Sequence, residues 1–93
     1  MKREIRKFDV PTRCGRVSID MPKGSECLAF QNQRESPVLW ALVDPDPSVP
    51  TEPRGFYFYG TGHLLDFQAV GRFIGTAQFL NGDLVFHLFE AVQ

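Results

Sequence analysis

Few side chains in this sequence have the type and spacing to do chemistry. Gly60-Thr61-Gly62-His63 places an imidazole directly after a glycine-spaced turn. Such a turn can turn backbone N–H groups toward an anion while the ring adds another donor. The spacing is neither that of a P-loop nor of a dinucleotide fingerprint, and no helix clearly follows to lend its dipole. His87 stands inside the apolar run Leu84 to Phe89, where a neutral imidazole would exchange a hydrogen bond with Thr76 across a strand pair. Asp44, Asp46 and Glu52 gather carboxylates in one loop. A proline-stiffened loop turns too few backbone carbonyls toward one point for calcium or magnesium, so neither a metal nor a cofactor is expected. An enzymatic alternative, a small phosphoester hydrolase, would use His63, His87 and Asp44, and it requires the chain after His63 to fold back over the last hairpin.

The nucleophiles are poorly placed. Ser18, Ser36 and Ser48 lack a nucleophile-elbow setting. Cys14 has Arg13 and Arg16 beside it, which favours a thiolate, but no base can be assigned to it. Cys14 and Cys27 form neither a CxxC pair nor a zinc pattern with the histidines, so both are read as free thiols. Trp40, Tyr57 and Tyr59 offer flat rings on which a base could stack. If Phe56 and Phe58 point inward, Tyr57 and Tyr59 point outward with their hydroxyls free for water, a ligand or a partner.

Charge narrows the partners. A net charge of −1 removes the non-specific pull that duplex-binding proteins rely on. Lys2, Arg3, Arg6 and Lys7 nevertheless crowd the start of the chain, and Arg6 is taken as the residue that would neutralise an anionic ligand. No apolar h-region follows the charged first ten residues, and no apolar run approaches the ~20 residues of a membrane span, so a cytoplasmic protein is expected.

Two densely apolar runs must position these groups. Val38 to Val43 has no polar residue on either alternate set, and Phe56 to Tyr59 is aromatic throughout, so both read as strands near the centre, covered on both faces. Lys2 to Val10 is a weakly alternating first strand and Arg16 to Met21 a clear one-sided second, the two expected to form a hairpin. Glu26 to Gln33 is a third strand. Asp44 to Arg54, with Pro45, Pro47, Pro50 and Pro53, is a stiff surface loop. Leu64 to Val70 fits either one helical turn or an irregular crossover.

The final segment is the best defined. Asn81-Gly82 between two β-type runs predicts a type I′ hairpin, since both central residues need positive φ. With those two as the loop, Leu80 faces Asp83; Phe79 faces Leu84, Ala77 faces Phe86 and Gly75 faces Leu88 on an apolar side, while Gln78 faces Val85, Thr76 faces His87 and Ile74 faces Phe89 on a mixed one. The whole reads as one mainly antiparallel all-β domain over residues 1–93, a small β-sandwich or partly open barrel of six to seven strands with at most one short helix near 64–70. So short a chain cannot cover all its apolar strand faces, and a homodimer is expected.

Met21 to Gly24, Leu39 to Asp46, Tyr59 to His63, Phe73 to Phe79 and Leu84 to Glu90 together resemble a family of small, uncharacterised proteins of tailed bacteriophages and prophages. The similarity spans nearly the whole chain and is least over Leu65 to Ala69 and the first fifteen residues. It implies the cytoplasm of an infected bacterium and carries over no catalytic residue. The functional expectation is a non-enzymatic module that binds a host protein or a small anionic, nucleotide-like ligand, with Gly60, Thr61, Gly62, His63, Tyr57, Tyr59, Trp40 and Arg6 as its site. A virion-associated domain with no ligand site is the other alternative.

Overall fold

The structure is a computed structural model that describes residues 2–92. Its strands are β1 (Glu4–Asp9), β2 (Gly15–Pro22), β3 (Glu26–Gln33), β4 (Ser36–Val43), β5 (Thr51–Gly60), β6 (Val70–Phe79) and β7 (Leu84–Ala91). They form a three-stranded sheet, β1-β4-β3, and a four-stranded sheet, β2-β5-β7-β6, with every pairing antiparallel. The fold is a small β-sandwich.

Period-two patterning decides which side chains fill it. Val17, Ile19 and Met21 of β2, Phe56 and Phe58 of β5, and Leu88 of β7 meet Cys27 and Phe30 of β3 and Leu39, Ala41 and Val43 of β4 in one buried cluster. Phe58 sits at its middle, edge-on to Phe30 at 6.1 Å and stacked with Phe86 at 4.6 Å.

The two apolar runs do become interior strands, β4 and β5. Their cover is one-sided, however, because a chain of this length has no third layer to lay over the outer faces. There Trp40, Leu42, Tyr57 and Tyr59 are half-buried among their neighbours' side chains. Trp40 donates its Nε1–H to Gln31 at 3.0 Å.

The expected hairpin of the first two strands does not form. β1 pairs with β4, and β2 pairs with β5 in the other sheet. The switch falls at Pro11, which has no N–H to continue a ladder. Before it, Val10 donates to the Pro37 carbonyl. After it, Gly15 takes φ +104°, a conformation that glycine adopts without steric cost. The proline loop is also shorter than its prolines suggest, since β5 begins at Thr51 and Pro53 faces Asp20. Over Thr51 to Gly55 that strand is paired only with β2, so one side of it is an edge where a missing N–H is tolerated.

The β6–β7 hairpin follows its turn chemistry. Asn81 and Gly82 both have positive φ and the Leu80 carbonyl accepts the Asp83 N–H at 3.0 Å, as a type I′ turn requires. Leu80 also takes positive φ, 51°, so the ladder ends at Phe79↔Leu84 and Leu80 does not face Asp83 as a strand residue. Register holds from Gly75↔Leu88 to Phe79↔Leu84. Beyond that a bulge makes Phe73, not Ile74, face Phe89. Phe73 is thereby left on the outer face while Ile74 packs against the core.

Two hairpin ends clasp each other. Arg34 and Glu35, at the β3–β4 turn, have positive φ without being glycine. The neighbouring contacts offset that strain. Asn32 accepts the Glu35 N–H and donates to the Gln78 carbonyl, and the Glu35 carboxylate accepts the Leu80 N–H.

Near the other end Arg54 bridges Glu90 at 3.0 Å and the Ser25 carbonyl at 2.9 Å. Burial, then the Glu90 carboxylate, push the nearby Cys27 thiol from 9.0 up to about 12. Its contribution to stability is therefore present below about pH 9 and lost as pH rises through 12.

Candidate functional site

β5 and β6 run in the same direction with β7 between them. Their connection must therefore travel the length of β7. It is tied at both ends of that strand, the Thr61 N–H to the Val85 carbonyl and the Ala69 carbonyl to the Val92 N–H. Eight strand residues span roughly 26 Å, and a nine-residue link reaches at most about 30 Å before any turn shortens it. Asp66 to Ala69 are used in a turn, closed by Ala69 N–H to Asp66 carbonyl at 2.9 Å, and Gly60 to His63 in another, closed by His63 N–H to Gly60 carbonyl at 3.2 Å, so the residues between the two turns carry most of the span. No helix forms between 64 and 70, and the crossover reading of that segment is the one that holds.

The link is a strap over the outer face of the four-stranded sheet. Its Gly62, His63 and Leu65 join Tyr59, Gly60 and Thr61 around a cavity of about 190 Å³ whose sheet side is His87 and Phe89. On the β2 side, Tyr59 and His63 also line an open depression of about 330 Å³ with Cys14, Gly15 and Leu64. Tyr59 and His63 are thus common walls.

Local chemistry fixes both histidines. His63 Nδ1 accepts the Gly60 N–H at 3.1 Å, which leaves the proton of the neutral ring on Nε2. Glycine at 60 makes room for it, since a β-carbon there would lie 3.2 Å from the ring. Both nitrogens of His87 meet hydroxyls, Thr76 at Nδ1 and Thr61 at Nε2, each at 2.8 Å. The Thr76 contact is the cross-strand exchange expected of it. The Thr61 contact pins the strap to the sheet.

Along β5 the outward groups form a column. Tyr57 and Tyr59 are parallel at 5.8 Å, and the Arg16 guanidinium lies 5.9 Å from the Tyr57 ring centre. Arg16 occupies space over Gly55 that any larger residue would take from it. Partial burial, then Tyr57 and Asp66, raise the Tyr59 phenol above its ordinary value, so the hydroxyl keeps its proton at neutral pH. Phe73 packs edge-on against Phe89 at 5.3 Å.

Of the residues picked from sequence, Gly60, Thr61, Gly62, His63 and Tyr59 come together, with Tyr57 adjoining. Trp40 and Arg6 do not join them. Trp40 faces outward from the three-stranded sheet, on the opposite side of the sandwich. Arg6 lies in β1 of that same sheet and bonds Glu4 at 3.0 Å. The cation beside the column is Arg16, over the Tyr57 ring.

The chain does fold back over the last hairpin and brings His63 and His87 to one cavity. Asp44 is elsewhere, accepting the Asp46 N–H in the loop after β4. In that loop the Ser48 N–H and hydroxyl hold the Asp46 carboxyl below its ordinary value. Among the described residues no group of three or more His, Cys, Asp or Glu could hold a metal ion, and no helix is long and apolar enough to cross a membrane.

Arg16, Phe73 and Phe89 were missed as site residues, as was the proximity of Cys14 to His63. Arg16 and Phe89 carried a signal, since each lies on the outward alternate set of its own strand. Phe73 carried none, because the bulge that turns it outward is not written in the hydrophobic pattern.

The signature of a family described as a domain of unknown function, DUF7352, matches residues 1–93. The chain belongs to the DUF7352 family. No curated protein and no solved structure matches it. The chemistry of this DUF7352 domain therefore rests on the column, the strap and the cavity between them.

Proposed function

We propose that this DUF7352 domain is a non-enzymatic binding module that takes a flat, anionic, nucleotide-like ligand beside the strap. The observation that carries the reading is that Tyr59 and His63 wall both the inner cavity and the open depression. A single aromatic ring suits about 190 Å³, which is below the usual 300–1,000 Å³ of a whole-ligand pocket. The sugar and phosphate would then lie in the depression, where Arg13 adjoins Cys14. His63 Nε2–H supplies a donor and the Tyr59 ring a stacking surface. Resemblance to small proteins of tailed phages and prophages supports reading such a module as a phage accessory protein of the infected cytoplasm, where binding a host signalling nucleotide would counter defence.

Calorimetric titration with a panel of mononucleotides tests this. One base stacked on one aromatic ring contributes about 1–3 kcal/mol, so Tyr59→Ala is expected to weaken binding roughly tenfold while far-UV circular dichroism stays native. Absence of binding across the panel would remove the reading.

A further inference from the structure

The strap turns its largest apolar side chains away from the protein. Leu64 is 98% exposed and Phe67 84%. Both ends of the strap are hydrogen-bonded to β7, at Thr61 and Ala69. Two further apolar residues flank it: Phe73, 52% exposed, packs on Phe89 beside the strap cavity, and Val92, 56% exposed, is tied to Ala69.

We infer that this strap-bearing face is the contact between two copies of the chain, related by a twofold axis. Area supports it. Leu64, Phe67, Phe73 and Val92 together present roughly 500 Å² of side chain, at the upper end of the largest patch found on a typical monomer. Leu65, 37% exposed, and half-buried Phe89 adjoin them, so the face approaches the ~800 Å² per partner of a stable interface. Charge also favours a second copy over a lipid surface. Residues 60–71 contain no Lys or Arg and one acidic residue, Asp66, whereas attachment to anionic lipid draws on clustered basic residues. A twofold contact needs a self-complementary patch, and an apolar strap whose one charge is Asp66, flanked by exposed Arg72 next to Phe73, meets that condition.

Sedimentation velocity of the full chain over a thousandfold range of concentration tests the assignment, alongside Phe67→Glu, Leu64→Glu and, as a control on the opposite face, Ile5→Glu. Ile5 is itself 64% exposed on the three-stranded sheet. The expected result is a wild-type dimer, self-association weakened at least tenfold by each strap substitution, and a dimer retained in Ile5→Glu. All three sites are exposed, so native circular dichroism is expected throughout. A wild-type monomer at every concentration overturns the inference, as does a dimer that persists in Phe67→Glu or is lost only in Ile5→Glu. Co-sedimentation of a monomer with phosphatidylserine-containing vesicles, abolished by Phe67→Glu, would assign the face to lipid and overturn it equally.

Discussion

Phe58→Ala is expected to lower the unfolding free energy by about 3–5 kcal/mol, as large-to-small changes at a buried aromatic do. The side chain is fully enclosed, with Phe30 against its edge and Phe86 against its face. Removing it withdraws contacts from both sheets at once. A chain of 93 residues has about 5–14 kcal/mol in total, so one substitution takes about a fifth of it or more. Urea denaturation should show the midpoint falling with little change in slope. The adjacent Tyr59→Ala, on the outer face of the same strand, is expected to cost about 1 kcal/mol because that side chain is only partly buried. Equal costs at the two positions would contradict the facing assigned to β5.

Gly75→Val is the second large effect, and it acts by crowding. Gly75 lies where β6 meets β3. A β-carbon built on it stands 3.1 Å from the Phe30 carbonyl and 3.3 Å from the Phe30 amide nitrogen. Those are backbone atoms and cannot rotate away. A branched side chain must part the two sheets along the line also held by the Asn32 to Gln78 hydrogen bond. The expected cost is about 1–3 kcal/mol or more, read as a lower thermal midpoint, with Gly75→Ala intermediate. An unchanged midpoint would mean that the sheets do not approach each other here.

These two positions also mark how far sequence reasoning reaches. Phe58 was legible, since period-two alternation sends Phe56 and Phe58 to one side and Tyr57 and Tyr59 to the other whatever the partner strand. The Asn81-Gly82 turn and the register from Gly75 to Phe79 were legible because turn geometry is local. What pairs with what was not. β1 and β2 are adjacent in sequence and fall in different sheets, because the Pro11 break lets each bury its own apolar set against the opposite layer. Gly75 read as a small residue on an apolar face, and only the packing of β6 on β3 explains why it must be small.

The site divides in the same way. Gly60 to His63 and Tyr59 are neighbours along the chain, so they stay together in any fold that keeps the turn. Trp40 and Arg6 were grouped with them by residue type alone, and the sandwich puts its core between them. Bringing His63 to His87 depended on the course of residues 61–69. That course follows from β7 inserting between β5 and β6, a long-range pairing that no local pattern encodes.

The account depends most on that strap lying against the outer face of β7. A nuclear Overhauser spectrum of the uniformly labelled protein measures this directly. The prediction is cross-peaks from the Leu65 methyls and the His63 ring to the ring protons of His87, Phe89 and Tyr59, across more than twenty residues of sequence in the first two cases. Strap protons that contact only their neighbours in sequence would contradict the cavity and the reading built on it.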